Sequence, residues 1–268
     1  MEALVSLDTH CHLLPGIDDG ARDVEEAAAI AEALVAYGIT RVVVTPHVHR
    51  DLYPNTRATI LPVVAETQAA LARRGSPMQL VAGAEVRLDP ESCTPDQWLT
   101  FGDLGTHMLV ELPPGLPLVA NLESQLFAIQ AAGITPIIAH PERQGVLLRE
   151  PDVLERWVVE RGMLAQGTLC ALAGAASEGT VQALEGFLRR GLIHFLGTDV
   201  HHVDRRIRDL SRAAARLEAL VGPENARLIR IDNPNALLDG GPIRRPSPVK
   251  SAAPTGLLQR LRATLRLP

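Results

Sequence analysis

His10 and His12, then His47, Glu85, Glu111, His140, and finally Asp199 with His201 each stand at or just past the end of a short apolar run. Imidazole and carboxylate are the ligand types that suit Zn, Mn, Fe or Co, and a carboxylate can bridge two cations. Side chains alternate in an extended segment, so His10-Cys11-His12 turns both imidazoles to one side and the thiol to the other. A lone carboxylate such as Glu85 or Glu111 is ordinarily just the first solvated residue beyond a strand. Eight ligand types at six of seven strand ends are not ordinary, and they point to a metal-dependent site. The isolated histidines His49, His107, His194 and His202 carry no such signal and stay unassigned.

Two arginines accompany the set. Arg143 follows His140 by three residues and Arg206 follows His201 by five, which places both over the same face. A planar guanidinium fork there matches a phosphate.

The elements that must position these groups are legible as short β-type runs alternating with helical segments, the signature of a parallel α/β fold. The expected strands are Leu4–Thr9, Arg41–Pro46, Gln79–Ala84, His107–Glu111, Thr135–Ala139, Met163–Gln166 and Ile193–Thr198. The expected helices are Val24–Tyr37, Arg57–Arg74, Ala120–Ala132, Pro151–Arg161, Thr180–Arg190 and Asp209–Leu220. Asp23 can cap the first of these, with Glu25 and Glu26 at its positive end. Seven such units without a break in composition favour one barrel over two doubly wound domains, although an open sheet also fits the alternation. In a closed parallel sheet the chemistry gathers at the C-terminal ends of the strands, where the ligand types lie.

With 268 residues and 46% hydrophobic content, the chain can bury a substantial core. A net charge of −5 excludes a global basic field for nucleic acid. Three scattered cysteines, Cys11, Cys93 and Cys170, make no disulfide framework and fit a reducing cytoplasm, and no run of 18 apolar residues suggests a membrane span. After Pro242 the composition turns to proline and arginine, ending in the Leu/Arg segment Gly256 to Leu267. We therefore expect a barrel over residues 1–241 and a basic, flexible tail over 242–268, whose amphipathic end suits weak contact with an anionic membrane surface or a partner.

The ordered set Asp8-Thr9-His10-Cys11-His12, Leu14-Pro15-Gly16-Ile17-Asp18-Asp19-Gly20, Val44-Thr45-Pro46-His47, Ala82-Gly83-Ala84-Glu85, Leu109-Val110-Glu111, Ala139-His140-Pro141-Glu142-Arg143, Gly197-Thr198-Asp199-Val200-His201 and Asp232-Asn233-Pro234 resembles the polymerase and histidinol phosphatase (PHP) superfamily, in its bacterial capsule-type tyrosine phosphatase branch. The resemblance spans about residues 5 to 240. It implies a distorted seven-stranded (βα)7 TIM-like barrel that holds three divalent ions, commonly manganese. The implied substrate is phosphotyrosine on the tail of a tyrosine kinase controlling exopolysaccharide export. His10, His12, Glu85 and Asp199 would hold one ion, with Glu85 bridging to a second held by Glu111 and His140. Asp19, His47 and His201 would hold the third. The choice of Asp19 over Asp18 comes from the family pattern alone. Arg143 and Arg206 match its phosphate-contacting arginines, although Ile207 and Arg208 replace the prolines usual after the second.

The expected reaction is direct attack on the phosphomonoester by a metal-bridging hydroxide, with His201 or a metal-bound water available to assist the leaving group. A thiol-based tyrosine phosphatase needs an arginine six residues after its cysteine, and those positions hold Ile17, Leu99 and Ala176. An amidohydrolase with a carboxylated lysine is excluded too, since Lys250 in the tail is the sole lysine. Histidinol phosphate, another small phosphomonoester, a metal-stabilised scaffold and a homo-oligomer all stay compatible with the sequence.

Overall fold

Strand β1 (Asp8–Cys11) opens the fold and pairs in parallel with β2 (Arg41–Val44), which pairs with β4 (Gln79–Ala82). The structure is a computed structural model that describes residues 7–88, 98–115, 118–203, 207 and 210–249. A second parallel set runs in the order β3 (His47–Val48), β5 (Glu85–Arg87), β6 (His107–Glu111), β7 (Thr135–Ala139), β8 (Leu164–Thr168) and β9 (Phe195–Gly197). The two sets are continuous along the chain. β3 resumes the line of β2 after Thr45-Pro46, and β5 resumes that of β4 after Gly83-Ala84. The sheet curls until its ends meet: Asp199 N–H donates to the His10 carbonyl at 2.8 Å, and His12 N–H donates to the Val200 carbonyl at 2.9 Å.

Seven of the nine described segments overlap the expected strands; β3 and β5 lie beyond them. The interruptions have local causes. Pro46 has no N–H to give to a ladder, and a Cβ on Gly83 would stand 2.6 Å from Val43 Cγ1.

Helix α1 (Val24–Ala36) starts as expected at Asp23, whose side chain accepts from Glu26 N–H at 2.8 Å. Thr56 and Thr59 form a reciprocal capping box at the start of α2 (Arg57–Arg73). Helix α3 (Val119–Ala131) follows β6, and α7 (Glu178–Arg189) follows β8. The expected helix Pro151–Arg161 is divided into α5 (Pro151–Glu155) and a wider five-residue π-type turn, Arg156–Glu160. Helix α8 (Leu210–Arg227) runs past the expected stop at Leu220 because the chain re-enters a helix at Pro223 after a break at Gly222. Three short helices were not expected: α4 (Gly145–Arg149), α6 (Leu169–Leu172) and α9 (Asn233–Asp239).

Alternation along the strands divides the core in two. One face packs Val42, Val44, Val86, Met108, Val110, Ile138, Ala165 and Leu196 against helix residues such as Ile30, Leu34, Leu122 and Leu217. Cys11 belongs to this layer, as the alternation predicts. The inner face closes around Leu7, Val43, Phe101, Leu109, Ile137, Leu164, Phe195 and Leu237. This apolar plug fills the N-terminal half of the curled sheet, so the C-terminal ends of the strands open above an apolar floor.

Residues 242–249, assigned by composition to a tail, bind to the body of the molecule. The Asn233 side chain exchanges bonds with Arg244 N–H (3.0 Å) and the Arg244 carbonyl (2.8 Å), and Asn225 does the same with Ser247 (2.9 Å each). The Arg245 guanidinium donates to the carbonyls of Gly191 and Arg190. Beside it, buried His194 has its pKa pulled down to about 4 by burial and by Arg245, so it stays neutral. The rest of the expected tail, 250–268, lies outside the described residues, as do Cys93 and the first residues of the expected strand Leu4–Thr9. Among the described residues no helix is long and apolar enough to cross a membrane.

Candidate metal centre

The site sits one layer above the apolar plug. On β9 the inner face reads Phe195, Gly197, Asp199; on β6 it reads Leu109, Glu111; along β4 and β5 it reads Val81, Gly83, Glu85. Strand β1 would break this phase, because Leu7 lies in the plug while the ligand types are His10 and His12. A bulge restores it: Asp8 pairs with Val42 but Cys11 with Val44, three steps against two. His140 and Asp199 leave their strands in the left-handed region, with φ of 32° and 52°. Such backbone is costly for residues other than glycine and is typical of strained functional positions.

Five histidines and four carboxylates converge here. His10 Nε2 lies 3.0 Å from His12 Nε2, 3.1 Å from Glu85 Oε2 and 3.4 Å from Asp199 Oδ1. His12 Nε2 is 3.4 Å from Glu85 and 3.5 Å from Asp199. His140 Nε2 is 2.8 Å from Glu85 Oε1, and His47 Nδ1 is 3.2 Å from Glu85 Oε2. Asp19 Oδ1 lies 3.5 Å from both His47 Nε2 and His201 Nε2. Four groupings have donor atoms mutually within 4.8 Å: His12, Asp19, His47 and His201; His10, Glu85 and His140; His10, His12 and Asp199; and His47, Glu85 and Glu111. Every ligand candidate of the sequence therefore enters one of them.

In four of these rings the outer nitrogen Nδ1 is engaged elsewhere, which fixes the ring and leaves Nε2 pointing inward, whereas both nitrogens of His47 face site carboxylates. His10 Nδ1 meets Gln166 Oε1 at 3.1 Å, His12 Nδ1 meets Asp18 Oδ2 at 2.8 Å, and His140 Nδ1 meets the Gln144 amide at 3.1 Å. His201 Nδ1 donates to the Asp199 carbonyl at 3.0 Å. This pattern separates the two aspartates of Asp-Asp-Gly. Asp18 is spent on His12, on Gly20 N–H (2.9 Å) and on His47 N–H (3.1 Å), whereas Asp19 faces the imidazoles. The loop closes this tightly because a Cβ on Gly20 would stand 2.0 Å from the His12 carbonyl oxygen. Gly197 is required similarly, since a Cβ there would meet Gln166 Nε2 at 2.2 Å and His10 Cβ at 2.5 Å.

The charges compensate one another. Burial raises the carboxyls of Glu85 and Asp199, yet both are held well below the ordinary range, Glu85 by His10 and His140, Asp199 by His10, His12 and Arg143. Burial lowers His12, but Asp18, Asp199 and Glu85 hold it well above its usual value. His201 goes the other way, down to about 4, through burial and the neighbouring His12. Glu111 is pushed up by burial and by Glu85. Deeper in β1, buried Asp8 is raised to about 6 by desolvation while accepting from Thr198 N–H and Oγ1, which ties β1 to β9.

Asp19, His47, Glu85, Glu111, His140, Arg143, Asp199, His201 and His202 line an open cleft of about 430 Å³. Arg143 reaches over it and pairs with Asp199 Oδ2. His202, unassigned from the sequence, stands on the rim with Nδ1 2.9 Å from Glu26 Oε1. Arg206 lies outside the described residues. Sequence reasoning missed Asp18, Gln144 and Gln166 as residues that orient the rings, and Arg87, whose Nε is 3.3 Å from Glu111 Oε2. Their one signal is spacing, since Gln144 follows His140 by four residues and Arg87 follows Glu85 by two.

Converging imidazole nitrogens and carboxylate oxygens, with outer nitrogens already bonded, suit divalent cations; the described site offers no thiolate. The comparisons agree with that chemistry. The chain is 32% identical over 250 residues to the tyrosine-protein phosphatase YwqE of Bacillus subtilis, covering 91% of this chain and 96% of that protein. It is 23% identical over 240 residues to the tyrosine-protein phosphatase CpsB of Streptococcus pneumoniae, covering 87% and 98%. A solved structure from work on YwqE and CpsB, described there as unique metal-dependent tyrosine phosphatases, superposes with a TM-score of 0.80 at 32% identity, covering 91% of this chain and all of that one. Residues 6–239 match the family described as capsular polysaccharide synthesis, CpsB/CapC, and the chain belongs to that family.

Proposed function

We propose that the protein is a metal-dependent phosphatase that hydrolyses phosphotyrosine on a protein, in the service of capsule or exopolysaccharide synthesis. The observation that carries this reading is the convergence of nine ligand candidates, seven of them lining one open cleft with Arg143, and His10 and His12 buried behind them. Similarity to tyrosine phosphatases along nearly the whole length of the chain supports it.

The proposed holders are His10, His12, Glu85 and Asp199 for one ion, Glu85, Glu111 and His140 for a second, and Asp19, His47 and His201 for a third. Manganese is the proposed metal, with iron, zinc and cobalt as alternatives of the same ligand chemistry. When bound, such ions supply positive charge for the phosphoryl oxygens and a water acidic enough to be deprotonated near neutral pH. The chain's own part is electrostatic and positional. Arg143 has one nitrogen on Asp199, and the rest of its donor fork is available to clamp phosphate oxygens as charge builds on them. Arg206 is proposed as the second clamp. His201 donates Nδ1–H to a backbone carbonyl, which turns Nε2 toward the metal set, and a proton for the leaving group is proposed to come from His201 or from a metal-bound water. Phenolate leaves readily enough that a tyrosyl ester depends less on such a proton than an alkyl ester does.

The proposed architecture is a distorted seven-unit barrel, with β2–β3 and β4–β5 as two interrupted staves. The proposed partner is the phosphorylated tail of a cytoplasmic tyrosine kinase. Histidinol phosphate is the competing substrate within the same chemistry. Steady-state hydrolysis of a phosphotyrosine peptide and of histidinol phosphate by the Mn2+-loaded protein decides between them. A kcat/KM ratio favouring the peptide by about 10²-fold or more is expected, in the range that a substrate-specific pocket can reach. The reverse order moves the protein to small-metabolite hydrolysis.

A further inference from the structure

Arg87 follows Glu85 by two residues on β5, so the strand period sets both side chains on the inner face, with Arg87 one step nearer the cleft mouth. In the β5–β6 register Arg87 lies beside Glu111, and its Nε stands 3.3 Å from Glu111 Oε2. The pair is shielded: the two side chains are 21% and 17% exposed. The contact is ionic rather than an aligned hydrogen bond, and the buried Nε has no hydrogen-bond partner, so Glu111 is the group it serves. Glu111 shares a close donor grouping with Glu85 and His47. Two carboxylates at that distance repel each other, and Arg87 brings a guanidinium against Glu111. Arg143 is paired with Asp199 instead and lines the cleft with 44% of its side chain exposed.

We propose that Arg87 is a positioning residue for the ion held by Glu111. It fixes one carboxylate oxygen, leaves the other for the ion and offsets the repulsion between Glu85 and Glu111. It thereby sets the affinity for that ion without touching the phosphate. Partners of metal ligands that orient them in this way change metal affinity by about 10- to 100-fold when removed. The inference rests on the metal-dependent reading above, and its test is independent of phosphatase activity.

Chelated full-length protein is titrated calorimetrically with Mn2+ in the absence of substrate, as wild type, Arg87→Ala and Arg87→Lys. The expected result is one class of site weakened about 10- to 100-fold in Arg87→Ala, with the remaining sites unchanged. Arg87→Lys should fall between, because an ammonium keeps the charge but not the planar fork. At saturating Mn2+ the KM for a phosphotyrosine peptide should match wild type in both variants. Superimposable Mn2+ isotherms for all three proteins would overturn the proposal. A raised KM at saturating Mn2+ with wild-type isotherms would also overturn it and make Arg87 a substrate contact. Should Arg87→Ala not fold, the Arg87→Lys isotherm and KM decide alone. A wild-type protein that binds Mn2+ yet leaves the peptide intact would count against the phosphatase reading and not against Arg87.

Discussion

Replacing Asp199 with asparagine is expected to lower kcat/KM for a phosphotyrosine peptide by about 10³-fold or more, the several kcal/mol that metal-borne charge supplies to such a transition state. Asp199 lies within 3.5 Å of His10 and His12 and also pairs with Arg143, so it stands where the metal set and the anion clamp meet. Asparagine is a cleaner probe than alanine, because it tolerates the left-handed φ of 52° that this position requires. His12→Ala should have an effect of the same order, since His12 belongs to two of the close donor groupings. Far-ultraviolet circular dichroism of both variants should match wild type. Activity above a tenth of wild type in a folded Asp199→Asn protein would sink the metal mechanism.

The second large effect is expected at Arg143. Arg143→Ala should reduce kcat/KM by about 10²- to 10³-fold, the usual cost of removing one donor aimed at developing charge. Arg143→Lys should recover little of it, because a point charge cannot grip two phosphate oxygens as a planar fork does. Metal content by elemental analysis should stay at the wild-type level in both variants. That separates Arg143 from Asp199, whose replacement should cost bound metal as well as turnover. A loss of metal in Arg143→Ala equal to the loss of activity would show that the arginine acts through Asp199 and not on the phosphate.

The strand ends were legible because two signals coincide there. A short continuous apolar run reports a strand covered on both faces, and a polar residue that ends it reports the C-terminal opening where catalytic groups gather. Hence His47, Glu85, Glu111 and Asp199 can be placed by pattern, and Cys11 can be turned into the core by alternation. What lay beyond the pattern depends on contacts between distant segments. The bulge in β1 is set by pairing with β2, thirty-odd residues away, and nothing in Asp8-Thr9-His10-Cys11 announces it. Asp18 and Asp19 are chemically alike, and only the fold decides that one orients His12 while the other faces His47 and His201. Arg87 reads as an ordinary strand-end cation until β6 brings Glu111 beside it. The change of composition at Pro242 suggested a boundary, but Asn225 and Asn233 hold the next residues with paired side-chain bonds that no local sequence rule encodes.

The most direct test of the central claim is to strip the protein of metal with chelator, confirm the loss by elemental analysis, and follow phosphotyrosine-peptide hydrolysis as Mn2+ is restored. The account predicts activity below about a thousandth of the loaded rate in stripped protein, recovered in step with binding that saturates near three ions per chain. Full turnover by protein carrying less than about a tenth of an ion per chain, a level too low for metal to supply the nucleophile and the charge, would contradict it.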